Sequence, residues 1–251
     1  YYAGGVTQVL RQLGEKLHRE ALTVTGRTIG EEVDAYRSPY LPNDELIRPL
    51  DRPHSTLGGL AILRGNLAPD TGVSKPAAIH PDVRRFTGKA ICFDSEDACV
   101  EAIEARRVHP GHVVVIRYEG PRGGPGMKEL YKPMKTLYGQ GLARFTAVIT
   151  DGRFSGTNNG CFVGHISPEA AAGGPLALVE DGDEITIDVE QKTLELHVSE
   201  EEMARRRAAW RYQPPRLIGY LARYAAMVSS ADRGGILIPG ETGGMEHETA
   251  E

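Results

Sequence analysis

From Gly58 onward the chain is built of apolar runs too short to be ordinary helices, each closed off by glycine, proline or charge. LAIL at 60–63, AICF at 90–93, HVVVIRY at 112–118, FTAVI at 145–149, CFVGHI at 161–166 and LALV at 176–179 read as strands. EITIDV at 184–189 and TLELHV at 193–198 alternate apolar and polar residues across the connector EQK, the pattern of a half-exposed hairpin. Eight strands within about 140 residues would leave long unpaired edges in an open sheet, so they point to a barrel or another closed sheet.

Helices interrupt the strands at three places. DSEDACVEAIEAR at 94–106 opens on Asp and Ser with an acidic first turn, and its spacing turns Cys99, Val100 and Ile103 inward. SEEEMARRRAAW at 199–210 carries a capping-box pattern, Ser199 with Glu202. RLIGYLARYAAMVSSA places Leu217, Tyr220, Leu221, Tyr224 and Val228 on one face, which must dock on something. The first 50 residues have a different texture. An amphipathic opening helix at 3–17, with Val6, Val9, Leu10, Leu13 and Leu17 on one stripe, leads into the proline-broken YRSPYLPNDELIRPLDRP, which reads as a linker. The chain begins without methionine and in mid-helix, as expected of a piece of a longer protein, and its polar end PGETGGMEHETAE is expected to fray.

A net charge of −5 with dispersed basic residues argues against a nucleic-acid partner, and no apolar stretch approaches the roughly 20 residues that a membrane helix needs. A cytoplasmic location, or an organellar one in a eukaryote, is therefore expected. Three cysteines, Cys92, Cys99 and Cys161, are too few and too irregularly spaced for a disulfide framework or a metal knuckle, and read as buried apolar residues.

Two loops carry the chemistry. YEGPRGGPGMKEL at 118–130 follows a strand, and its glycines would let backbone N–H groups converge on an anion. Glu129, expected in the first turn of a helix resuming near Met127, is either a partner of the helix dipole or a ligand for a hard cation. TDGRFSGTNNG at 150–160 sets an acid, an arginine, a serine and two asparagines among three glycines, more than a connector requires. Ser155 between Phe154 and Gly156 is an accessible hydroxyl, although the motif is not the GxSxG of a hydrolase elbow. His165 is either its partner or a structural histidine within a strand.

RGNLAPDTGVSKPAA, VVVIRYEGPRGGPGMKEL, AVITDGRFSG, GHISPEAAAGGPLALVEDGDEITID and SEEEMARRRAAW resemble, in order, the C-terminal half of the dihydroxy-acid dehydratase and phosphogluconate dehydratase family, from about Ala3 to Gly235. The resemblance implies an α+β fold: residues 51–251 as a C-terminal β-barrel of about eight strands with flanking helices, similar to the mobile domain of aconitase-like dehydratases. Residues 1–50 would be the end of an N-terminal α/β domain and its crossover.

The resemblance also implies a hydro-lyase that converts a 2,3-dihydroxy carboxylic acid to a 2-keto acid. Dihydroxy-acid dehydratase of branched-chain amino-acid biosynthesis comes first. The alternatives are a sugar-acid dehydratase of the xylonate, arabinonate or phosphogluconate type, and a noncatalytic remnant of the same fold. SGTN stands at 155–158, where dihydroxy-acid dehydratases read SGGT. By the same resemblance Ser155 is the catalytic base, Glu129 a metal ligand, and Arg153 and Thr157 bind substrate, Arg153 and Arg117 each being able to pair with the substrate carboxylate or with nearby acids. The implied cofactors are an iron–sulfur cluster, 2Fe-2S or 4Fe-4S, with ligands in the N-terminal half, and Mg²⁺. The implied partners are a small hydroxy acid, the protein's own N-terminal domain, and further copies in a homodimer or tetramer. This half alone is expected to be inactive.

Overall fold

The computed structural model describes residues 1–55, 58–154 and 160–238. The backbone groups into two compact units, the first from Tyr1 to Gly58 and the second from Gly59 onward. In the first unit, α1 (Gly5–Leu13) and α2 (Ile29–Ala35) are short helices. Thr28 starts α2 with a full capping box: its side chain accepts from the Glu31 N–H, and the Glu31 carboxylate accepts from the Thr28 N–H at 2.7 Å. Of the expected apolar stripe on α1, Val6 and Val9 are exposed, and the helix buries Gln8 instead.

The second unit is a closed eight-stranded barrel. Its strands are β1 (Ala61–Gly65), β2 (Ala68–Ser74), β3 (Arg85–Phe93), β4 (His112–Ile116), β5 (Ala147–Thr150), β6 (Cys161–Ser167), β7 (Glu184–Asp188) and β8 (Thr193–Leu196). Around the barrel the order is β1-β2-β6-β5-β4-β3-β7-β8. Strands β3, β4, β5 and β6 run parallel to one another, and hairpins β1–β2 and β7–β8 complete the wall.

The parallel half explains the unbroken apolar runs. Parallel strands are covered on both faces, so they show no polar alternation. Val113 and Val115 of β4 point into the barrel with Ala147 and Ile149 of β5, while Val114, Ile116 and Val148 face outward. That outer layer is covered by α3 (Glu96–Glu104) and α4 (Tyr131–Gly139), the crossovers after β3 and β4, through Cys99, Ile103, Met134 and Leu137. Val100 is only half-buried. Two further helices, α5 (Glu200–Ala209) and α6 (Gly219–Met227), follow the last strand. Ser199 caps α5 by accepting from the Glu202 N–H at 3.2 Å, but the Glu202 carboxylate is bonded to Arg205 and Arg206 rather than returned to the cap.

Three elements differ from the sequence reading. LALV is not a strand: Pro175–Leu178 is a 3-10 turn whose Leu176, together with Val179, packs into the barrel core, so the run is apolar because it is buried and not because it is extended. APDTGVS, which has no apolar alternation, is strand β2. Its buried positions are Ala68, Gly72 and Ser74, small residues that suit a crowded interior; a Cβ on Gly72 would lie 3.0 Å from Val163. The third is α4, which begins at Tyr131, so Glu129 precedes the helix and is not in its first turn. Among the described residues no helix is long and apolar enough to cross a membrane.

Within the first apolar run the barrel buries Leu63 completely and leaves Leu60 more than half exposed. Leu63→Ala is expected to lower stability by about 2–5 kcal/mol, and Leu60→Ala to change it by less than about 0.5 kcal/mol. Urea unfolding of the two variants checks this, and equal shifts of the midpoint would contradict the inward facing of Leu63.

Candidate functional site

The C-terminal ends of β4 and β5 lie side by side, Ile116 opposite Thr150, and the two chemistry-bearing loops leave the barrel there together. Carboxyl ends of adjacent parallel strands are where open α/β sheets bind their ligands. Asp151, the first residue after β5, has no exposed surface. Its carboxylate accepts three backbone N–H groups: Glu119 at 3.0 Å on one oxygen, Tyr118 at 3.1 Å and Ala170 at 2.9 Å on the other. Burial pushes the Asp151 carboxyl up to about 7 and the nearby Glu169 adds to this, while the three amides pull it down. Every neighbour bonded to it is a donor, which is the environment of an ionised carboxylate.

Two more carboxylates work in the same way. Glu169 accepts from the Arg122 N–H at 3.0 Å and the Gly123 N–H at 2.9 Å. Glu119 accepts from the Glu96 N–H at 2.7 Å, at the start of α3, where Ser95 caps the Ala98 N–H. Burial raises both of these carboxyls from their ordinary value. Lys128 lies 3.2 Å from Glu96 and 3.7 Å from Glu119, the countercharge of that pair. The glycine-rich loop does gather its N–H groups around anions, as its composition suggests, but here the anions are the chain's own side chains. Gly120 follows from this: a Cβ there would lie 2.7 Å from a Glu169 oxygen.

The structure brings Glu129 and Arg153 together. They form a parallel β-bridge, the Leu130 N–H donates to the Arg153 carbonyl at 2.8 Å, and the Arg153 guanidinium donates back to the Met127 carbonyl. Both side chains are exposed at the rim of the barrel end. Ser155 and Thr157 lie outside the described residues. Phe154, just before them, packs edge-on against Phe162 in the outer core. Arg117 is engaged within the fold, bonded to Asp94 and to the Val179 carbonyl at 2.8 Å. His165 is half-buried and its pKa is lowered, first by burial and then by the charges of Arg153 and Lys75, so it is a neutral imidazole at pH 7.

One feature of the site has no counterpart in the sequence reading. Tyr118 stacks on Tyr212 with ring centroids 5.2 Å apart, Tyr212 stacks in turn on Trp210, and the Trp210 indole donates to the Tyr118 hydroxyl at 3.2 Å. Beside this stack, Tyr118, Glu119, Gly123 and Tyr212 line a cavity of about 520 Å³. The chain's single Trp, two residues before a Tyr and close to a Pro-Pro in WRYQPP, is the signal that points to it.

Among the described residues no group of three or more His, Cys, Asp or Glu is disposed to hold a metal ion. Glu129 is a single carboxylate. The cysteines are dispersed: Cys161 lies in the barrel core, Cys99 in the outer layer and Cys92, half-buried, against the Val179 carbonyl. Burial pushes Cys92 and Cys161 up to about 12 and raises Cys99 as well. These thiols do not fit a thiolate ligand set.

A family model described as dihydroxy-acid/6-phosphogluconate dehydratase C-terminal matches residues 45–235. The match takes in the whole barrel and both loops.

With a thiol pKa of about 12, only about one part in 10⁴ of Cys92 or Cys161 is thiolate at pH 8. Iodoacetamide at pH 8 is therefore expected to leave all three cysteines unlabelled in the native protein and to label all three after denaturation, as read by mass spectrometry. Rapid native labelling of Cys161 would contradict its place in the core.

Proposed function

The chain belongs to the dihydroxy-acid/6-phosphogluconate dehydratase family, whose C-terminal domain it carries, and on that basis we propose that it forms one half of the active site of a hydro-lyase converting a 2,3-dihydroxy carboxylic acid to a 2-keto acid. Family membership supports the dehydratase class; the substrate and the residue roles are our reading. In the reaction C2 loses a proton and C3 loses hydroxide, which leave together as water, and the resulting enol tautomerises to the 2-keto acid. The chain must therefore offer a base at C2 and a cationic grip on the carboxylate.

Support for this reading comes from the pairing of Glu129 with Arg153 at the mouth of the barrel, two residues before Ser155 in the chain. Ser155, as an alkoxide stabilised by the cation that would be bound beside it, would take the C2 proton and pass it to the departing hydroxide, and Arg153 and Thr157 orient the substrate, Arg153 through its charge toward the carboxylate. The described residues do not by themselves form a site for an iron–sulfur cluster or for Mg²⁺. We assign the ligands of the cluster and the remaining ligands of the cation to the protein's N-terminal half, with Glu129 as this chain's contribution to the cation. When bound, these groups would supply Lewis acidity for the leaving hydroxide. Residues 1–50 are assigned to the end of that N-terminal domain, and the whole enzyme to the cytoplasm as a homodimer or tetramer.

The assignment is to dihydroxy-acid dehydratase, with the sugar-acid enzymes as the alternative on account of SGTN at 155–158. Anaerobic assay of the full-length protein for 2-keto acid is expected to give turnover with dihydroxyisovalerate in excess of that with xylonate. The reverse preference selects the sugar-acid reading, and no turnover with any dihydroxy acid overturns the proposal in favour of a noncatalytic domain. Ser155→Ala is expected to lower kcat by about 10²-fold or more with folding intact, the range for loss of a general base. Glu129→Gln is expected to raise the Mg²⁺ concentration needed for half-maximal rate, because an amide is a poorer ligand for a hard cation. An unchanged Mg²⁺ requirement would remove Glu129 from the cation site.

A further inference from the structure

We propose that Asp151 is a positioning residue, whose buried carboxylate fixes the Glu129-bearing loop against the Arg153-bearing loop; its link to turnover rests on the dehydratase reading above. The barrel has no need of a charge at this point. The pairing of β4 with β5 is complete at Ile116 and Thr150, and every group that donates to Asp151 lies beyond the strand ends, at 118, 119 and 170. A buried carboxylate is an expensive way to end a strand, since an ion taken out of water is unfavourable until its partners compensate the lost hydration. An isolated turn would be served by a neutral Asn or Ser.

The advantage of the carboxylate lies in its number of acceptors. Two oxygens accept three N–H groups from two separate segments, so the 118–119 peptide is tied both to residue 151 and to the 169–170 turn. Glu169 then holds the next turn of the same loop through Arg122 and Gly123. From there the loop runs to Met127, Glu129 and Leu130, where Arg153 joins it again. The two loops are thus stitched at both ends, with Asp151 deep in the barrel mouth and Arg153 at the rim. Side chains on either loop keep a fixed separation, which is what a two-loop site needs: a displacement of about 1 Å can cost 10²-fold in rate.

The geometry leaves little room for a substitute. Asn has one accepting oxygen and one donating nitrogen, so in either orientation its amide meets at least one backbone N–H head-on. Glu is one methylene longer in a space where even a Cβ on Gly152 would come within 3.0 Å of Glu119. Hydrogen exchange of the full-length protein tests the tie directly. In Asp151→Asn the amides of Tyr118, Glu119 and Ala170 are expected to exchange at least about tenfold faster, while the amides of β4 and β5 keep their protection. Per folded molecule kcat is expected to fall by about 10²-fold and by more than KM changes, with no rescue by Asp151→Glu. Unchanged exchange at those three amides overturns the proposal. So does faster exchange with kcat per folded molecule within twofold of wild type, since that is a merely structural tie. A wild-type protein that dehydrates nothing would instead count against the function proposed above, and the exchange arm would then decide the positioning role alone.

Discussion

A carboxylate without exposed surface stands where two parallel strands end, and the architecture of the barrel mouth follows from the need to satisfy it. Asp151 is desolvated, so its charge is tolerable only with several donors, and these come from the backbone of the neighbouring loop and of the 169–170 turn. Backbone donors can reach a buried group only if the chain passes close to it. That requirement places Gly152 against Glu119 and Gly120 against Glu169, where side chains would collide. The glycines of GPRGGPG thus serve close packing around internal anions before they serve any ligand. The same loop composition in a phosphate-binding protein would leave its N–H groups pointing outward; here those of residues 118, 119, 122 and 123 are already taken.

The mixed topology is what makes this arrangement possible. Four parallel strands, β3 to β6, send the segments after β3, β4 and β5 out from one end, while the antiparallel hairpins β1–β2 and β7–β8 close the wall without adding crossovers. Parallel pairing requires α3 and α4 as crossovers, and those helices seal the outer face of β4 and β5. Strands buried on both faces lock their register, because a slip of one residue would exchange the inner and outer sets. With the strand ends held in register, the loops start from fixed points. The three buried carboxylates, Glu119, Asp151 and Glu169, then fix the course of the 118–124 loop.

Legibility in the sequence varied with how local the physics was. VVVI at 113–116 and CFVG at 161–164 announce themselves because burial on both faces leaves no polar position in the run, the half-buried His112 and His165 lying just outside. APDTGVS does not, because its core-facing positions are filled by Ala, Gly and Ser, and its outward Pro69 and Asp70 resemble a turn. LALV failed in the opposite sense: a 3-10 plug in the barrel core needs the same leucines as a strand. These two errors offset each other, so the expected number of strands agreed with the barrel although one member was misplaced. At the site, residue types were readable and their partners were not. Arg117 and Arg153 look alike in sequence, yet Arg117 is bonded to Asp94 inside the fold and Arg153 bridges to the opposite loop. Asp151 reads as one more polar loop residue until its three long-range donors are known. The stack of Tyr118 on Tyr212 likewise joins distant segments through contacts that no local pattern encodes.

Among the described residues five non-glycine residues have a left-handed φ; Arg106 and Lys192 lie in turns elsewhere, and the other three lie at this same end of the barrel. Tyr118, Met127 and His165 adopt φ values of 65°, 50° and 53°, in the left-handed region that bulky residues avoid at a cost of about 1–2 kcal/mol each. Each is held there by a bond to a partner outside its own position. The Tyr118 N–H donates to Asp151, the Met127 carbonyl accepts from Arg153, and the His165 N–H donates to the Gly152 carbonyl at 2.8 Å. For these three the partner lies in the segment 151–153, so each turns its backbone toward the DGR of the β5 loop. Glycine at 118 would relieve the strain but would remove the ring that stacks on Tyr212 and accepts from Trp210. At Tyr118, then, the fold accepts an unfavourable dihedral to obtain a hydrogen bond on one side of the residue and an aromatic stack on the other, holding the loop between β5 and the segment after α5. Strain kept in place by bonds that converge on three consecutive residues is the physical mark of a segment whose position matters more than its comfort, and Asp151 is the residue on which that position turns.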